Sequence, residues 1–120
     1  MEQRKKKILV ADDDPAILDV LQIFLEEVGY EVEVTGNGAT LRDFQDGRAD
    51  LLLLDIWLSG WNGRDICANL KSQEATKRLP IILFSANKGM EKSARAAGAE
   101  DFLAKPFELD ELLEKIERYL

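Results

Sequence analysis

Leu51-Leu52-Leu53-Leu54-Asp55 is a run of four leucines closed by a carboxylate. An extended segment with leucine on both faces is buried on both faces, as strands in the middle of a parallel sheet are. The run ends on an acid. In an open α/β sheet the carboxyl ends of the strands form the rim where ligands bind. A lone acid there also has a plain reading, as a cap on the next turn. The rest of the chain has to separate the two.

Before this run, Ile8-Leu9-Val10-Ala11 is a first short apolar strand, followed by Asp12-Asp13-Asp14-Pro15. Asp14-Pro15 is a helix start, with Asp as N-cap and Pro at the first helical position. Ile17, Leu21, Phe24 and Val28 give that helix an apolar face, and Gly29 stops it. Glu31-Val32-Glu33-Val34 alternates strictly, the pattern of a strand with one wet face. Gly36-Asn37-Gly38 reads as a turn and only weakly as a phosphate loop. A short helix carrying Leu41 and Phe44 follows.

After the run, Ser59-Gly60-Trp61-Asn62-Gly63 reads as loop, and Ile66, Cys67 and Leu70 mark a helix face. Pro80 opens a fourth strand, Ile81-Ile82-Leu83-Phe84, which again ends in a polar residue, Ser85. A weakly amphipathic helix is expected near Glu91 to Ala97. Asp101-Phe102-Leu103-Ala104 is a short fifth strand ending at Lys105-Pro106. Leu109, Leu112, Leu113, Ile116 and Leu120 stripe the last helix.

Five strands alternating with five helices predict an α/β fold, a doubly wound five-stranded parallel sheet with helices on both faces. The first, third and fourth strands are purely apolar and belong in the centre. The second and fifth belong at the edges. The order is therefore 2-1-3-4-5, a flavodoxin-like topology.

The 120 residues fit one domain, and 46% hydrophobic content is enough for a real core. No apolar run is long enough to span a membrane, and nothing resembles a signal peptide. The expected setting is cytoplasmic. One cysteine excludes an internal disulfide, and the lack of histidine excludes His-based triads and His-ligated metals. A net charge of −7 argues against direct nucleic-acid binding. Arg4-Lys5-Lys6-Lys7 is the one basic patch and reads as the solvated approach to the first strand.

In that topology the residues just past the first, third, fourth and fifth strands converge: Asp12 and Asp13, Asp55, Ser85, and Lys105. Three crowded carboxylates repel unless compensated. Lys105 supplies one positive charge, and a hard divalent cation with oxygen ligands supplies the rest. The set suits the holding of a phosphoryl group, with Asp55 as nucleophile and Lys105 and the Ser85 hydroxyl on the remaining oxygens.

These motifs resemble the receiver domain of two-component response regulators. They are Ile8 to Pro15, Asp50 to Asp55 with Gly63 eight residues on, Ser85-Ala86, and Gly98 to Phe107. The resemblance covers essentially the whole chain, residues 1–120, with no output domain expected in it. It implies phosphorylation of Asp55 by a histidine kinase or a histidine phosphotransfer protein. It implies Mg²⁺ (with Mn²⁺ able to substitute) on Asp12, Asp13, Asp55 and the Trp57 backbone carbonyl. Ser85, the Ala86 backbone and Lys105 would bind the phosphoryl group. Ser85 and Phe102 match the family's switch pair, and Lys105-Pro106 its cis bond. Trp57 and Asn87 would border the attacking water and tune the lifetime of the modification. Such a domain works as a monomer or a phosphorylation-dependent dimer, and the effector is left open.

Three departures stand out. Ser59 replaces the family's usual proline, which predicts a looser loop. Ser85 replaces the commoner threonine. The interval from Ser85 to Lys105 is about two residues short for the family. Other readings of the chain are an inert or purely interacting domain of this fold, a flavin module, and an aspartyl-phosphate phosphatase. The acidic Asp12-Asp13-Asp14 opposes a flavin phosphate. The phosphatase mechanism places a second acid two residues after the nucleophile, where this chain has Trp57. A phosphoacceptor, not a multi-turnover enzyme, is the expectation.

Overall fold

The computed structural model describes residues 5–42 and 49–120. Among these described residues, seven strands and five helices follow one another: β1 (Lys7–Ala11), α1 (Pro15–Val28), β2 (Glu31–Thr35), α2 (Gly38–Arg42), β3 (Leu51–Asp55), β4 (Trp57–Leu58), β5 (Trp61–Asn62), α3 (Gly63–Lys71), β6 (Ile81–Ser85), α4 (Glu91–Ala96), β7 (Asp101–Ala104) and α5 (Leu109–Tyr119). The main sheet is parallel, in the order β2-β1-β3-β6-β7. That is the predicted order once β4 and β5 are set aside. These two pair only with each other, as a hairpin over the segment read as loop.

All five residues of β3 are buried, and alternation along it sorts them between two cores. Leu52 and Leu54 pack with Leu9, Ile66, Leu70, Leu83 and Phe102, on the side of α2, α3 and α4. Leu51 and Leu53 pack with Ile8, Leu21, Leu25, Phe84, Leu112 and Ile116, under α1 and α5. Cys67 lies in the first core, where burial pushes its thiol up to about 11. It is a packing residue, as expected.

Asp14 caps α1 by accepting from the Ala16 N–H at 3.0 Å, and the helix stops at Gly29. Its inner face differs from the expected one. Leu21 and Leu25 are buried, whereas Val28 is 43% exposed. Gly36-Asn37-Gly38 is a helix start, with the Asn37 side chain accepting from Ala39 N–H. Leu41 is fully buried, and Phe44 lies outside the described residues. Gly38 is required by a close approach: a Cβ there would overlap the Trp61 side chain. Lys7, in the basic patch, pairs with Glu33 at 2.8 Å, Lys5 and Lys6 are exposed, and Arg4 lies outside the described residues.

Between Ser85 and Lys105 the chain makes a 3₁₀ turn, Lys88–Met90, and a helix of only six residues. β7 is an edge strand, yet Asp101, Phe102 and Leu103 are buried. Among the described residues no helix is long and apolar enough to cross a membrane.

Candidate functional site

Asp12 follows β1, Asp55 ends β3, Ser85 ends β6 and Lys105 follows β7, so neighbouring strands deliver all four to one rim. Asp12 is fully buried. One of its oxygens accepts from the Asp14 N–H at 2.9 Å, and the other from Lys105 Nζ at 2.8 Å. The same ammonium lies 3.4 Å from Asp55 Oδ2 and 4.9 Å above the Phe84 ring. The Trp57 N–H points to Asp55 Oδ1 at 3.4 Å. Burial raises the Asp55 carboxyl to about 6, and the neighbouring Asp12 adds to the rise against the pull of Lys105.

Asp12, Asp13 and Asp55 each bring a carboxylate oxygen within 4.8 Å of the other two. All donors are hard oxygens. Three carboxylates and one ammonium leave two negative charges, the complement of a divalent cation. The residues present therefore fit Mg²⁺. Asp13, unlike its two partners, is exposed, and its Oδ2 accepts from both the N–H and the hydroxyl of Ser59, at 3.2 and 3.1 Å. The serine in place of proline ties its loop to the acidic cluster instead of loosening it.

Ser85 is buried, and its Oγ accepts from the Asn87 N–H at 3.1 Å, leaving its hydrogen to give. Ala86 is exposed beside it. The Asn87 carboxamide oxygen is engaged by the Gly89 N–H at 2.8 Å, capping the 3₁₀ turn. Phe102 sits inward, 6% exposed, in the core under α4. The Lys105–Pro106 peptide is cis. Trp57 is 51% exposed, with the Arg64 guanidinium 5.8 Å from its ring centre.

The sequence profile of the response regulator receiver domain matches residues 8–117. The chain belongs to the response regulator receiver family. It is 42% identical over 116 residues to the DNA-binding transcriptional regulator NtrC of Azospirillum brasilense, a match covering 94% of this receiver but 24% of that regulator. Other curated relatives are spanned to about half of their length. Among solved structures, the response regulator TrrA of Thermotoga maritima in complex with Mg²⁺-BeF superposes with a TM-score of 0.85 at 35% identity, covering 96% and 99% of the two chains. The receiver domain of sensor histidine kinase PA1611 from Pseudomonas aeruginosa, with magnesium coordinated in its active site cleft, gives 0.86 at 31% identity, covering 97% and 98%. This family is a phosphoacceptor signalling domain.

Two features of the receiver had no signature in the sequence. Arg64 reaches from α3 to the Ser93 hydroxyl on α4 at 3.1 Å while facing Trp57, so it joins the rim to the α4 surface. Asp101 gathers Arg95, Lys115, Arg118 and the Tyr119 hydroxyl within 3.1 to 3.5 Å. Its partners come from two helices and follow no spacing rule.

Proposed function

We propose that this receiver accepts a phosphoryl group on Asp55 from the phosphohistidine of a histidine kinase or histidine phosphotransfer protein. The observation that carries the reading is the placing of Asp55. It is the buried acid at the end of the central strand, with Lys105 at 3.4 Å and two further carboxylates within ligand distance.

Asp55 attacks phosphorus with a carboxylate oxygen. The bond from phosphorus to the donor imidazole nitrogen breaks, and its electron pair returns to that nitrogen. Lys105, the Ser85 hydroxyl and the Ala86 N–H donate to the phosphoryl oxygens. Asp12, Asp13, Asp55 and the Trp57 carbonyl would hold Mg²⁺ (Mn²⁺ could substitute), which when bound neutralises the acids and the phosphoryl charge. As Ser85 turns to the phosphoryl group, Phe102 holds the space beside it, and the surface over α4 and β7 changes for a partner. Each modification is a single event on the receiver itself, without turnover.

The test is incubation with Mg²⁺ and a small acyl phosphate, read by intact mass. The parent gains one phosphate and Asp55→Asn gains none. Asp55→Asn also unfolds at higher urea concentration without Mg²⁺, by about 1–2 kcal/mol, because a buried, repelled charge is gone. Undiminished phosphorylation of Asp55→Asn sinks the assignment.

A further inference from the structure

Ser59 stands on an exposed turn, yet both its donors converge on one oxygen of Asp13. The two residues are 46 positions apart in the chain. Among the described residues no other hydrogen bond reaches the Asp13 carboxylate. An exposed aspartate with no such tie rotates freely about its side-chain bonds and loses that freedom when it binds a cation.

We propose that Ser59 is a positioning residue for the divalent cation, holding Asp13 by Oδ2 so that Oδ1 is presented to the ion. The inference rests on the cation-dependent phosphoacceptor reading above and adds a residue that sets the cation affinity. Both bonds fall on the same oxygen, and a carboxylate offers about four acceptor positions. Oδ1 can therefore take a cation with neither Ser59 bond broken. Partners that orient a metal ligand from behind govern affinity strongly, by about 10- to 100-fold.

The two donors can be removed separately. Any residue except proline supplies the N–H, but only serine and threonine add a hydroxyl here. Ser59 and Gly60 form the two-residue connection between β4 and β5, with Gly60 at φ +79°. A positive φ at the third position marks a type II turn, and proline is favoured at the position before it. Ser59→Pro therefore suits the turn while deleting both donors.

The experiment titrates Mg²⁺ alone into the purified chain and follows the fluorescence of Trp57 and Trp61, which line the same pocket as Asp13 and Ser59. Ser59→Pro should weaken Mg²⁺ binding about 10-fold, the low end for an orienting partner, and Ser59→Ala, which keeps the N–H bond, about 3-fold. Ser59→Thr should bind like the parent, and urea midpoints check that each variant is folded. Parental or tighter binding in Ser59→Ala or Ser59→Pro, with weakened binding in Asp13→Ala, overturns the role of Ser59 and leaves the cation site standing. Parental binding in Asp13→Ala overturns both.

Discussion

Lys105 and Asp12 stand 93 residues apart in the chain, and Lys105 Nζ donates to Asp12 Oδ2 at 2.8 Å. The bond spans the sheet from the end of β7 to the end of β1, beneath the exposed rim. The carboxylate is fully buried, and that ammonium is its paired cation. Lys105→Ala should lower stability by roughly 1–3 kcal/mol, since an uncompensated buried charge is left behind. In an Asp12→Asn background the same change should cost much less. Urea unfolding of the four proteins measures the coupling, and equal costs in both backgrounds would refute it.

Trp57 is half exposed, with the Arg64 guanidinium 5.8 Å from its ring centre, and under the proposed function its side chain borders the path of water to Asp55. Its indole can only donate, so it cannot activate a water. The phosphorylated receiver should lose its phosphate slowly. Trp57→Ala should shorten the half-life about 3-fold and Arg64→Ala by less than 2-fold, since an exposed cation–π contact is worth only about 0.5 kcal/mol and orients the ring without removing it. The assay is loss of the phosphorylated mass over time at saturating Mg²⁺. An unchanged half-life in Trp57→Ala would assign the ring to a partner surface instead.

Asp101 is nearly fully buried, and burial alone would raise its carboxyl. The Phe102 N–H, Lys115 and Tyr119 outweigh that and hold it below its ordinary value of 3.8. The unfolded chain therefore binds this proton more readily than the folded one. Stability from Asp101 is complete above the ordinary carboxylate range and is lost as pH falls through the lowered folded value. Asp101→Asn should cost about 1–3 kcal/mol at pH 7. The gap to the parent should close in acid, below pH ~4. A gap independent of pH would refute the account.

Phe102 has no hydroxyl to draw it toward water, and it belongs to the same buried core as Leu83 of β6 and Ala94 of α4. Phe102→Ala should cost about 3–5 kcal/mol. A fluorinated phenylalanine at this position should report one buried environment before and after a beryllium fluoride phosphate mimic is added. A large shift toward the solvent-exposed frequency in either state would sink the idea.

The sheet was legible because burial on both faces writes itself as unbroken apolar runs, as in Leu51 to Leu54. The rim was legible because each of its members directly follows, or ends, such a run. The inner face of α1 was not. Ile17, Leu18, Val20, Leu21, Ile23, Phe24, Leu25 and Val28 surround that helix with apolar side chains, so its periodicity leaves the buried face ambiguous. The hairpin of Trp57–Leu58 and Trp61–Asn62 is too short to show a period of two. The tie from Ser59 to Asp13 needs two loops in register, which only the folded chain brings together.

Gly38 and Trp61 carry a consequence for how this receiver can diverge. The first residue of α2 has no side chain because the indole of the hairpin occupies that volume. The overlap includes the Cβ of Trp61, which any residue but glycine would keep, so shrinking position 61 does not by itself open room at 38. Descendants of this chain should therefore hold glycine at 38 for as long as the hairpin keeps its place, while 61 is free to become smaller. A library randomised at both sites should return folded members with glycine at 38 and varied residues at 61.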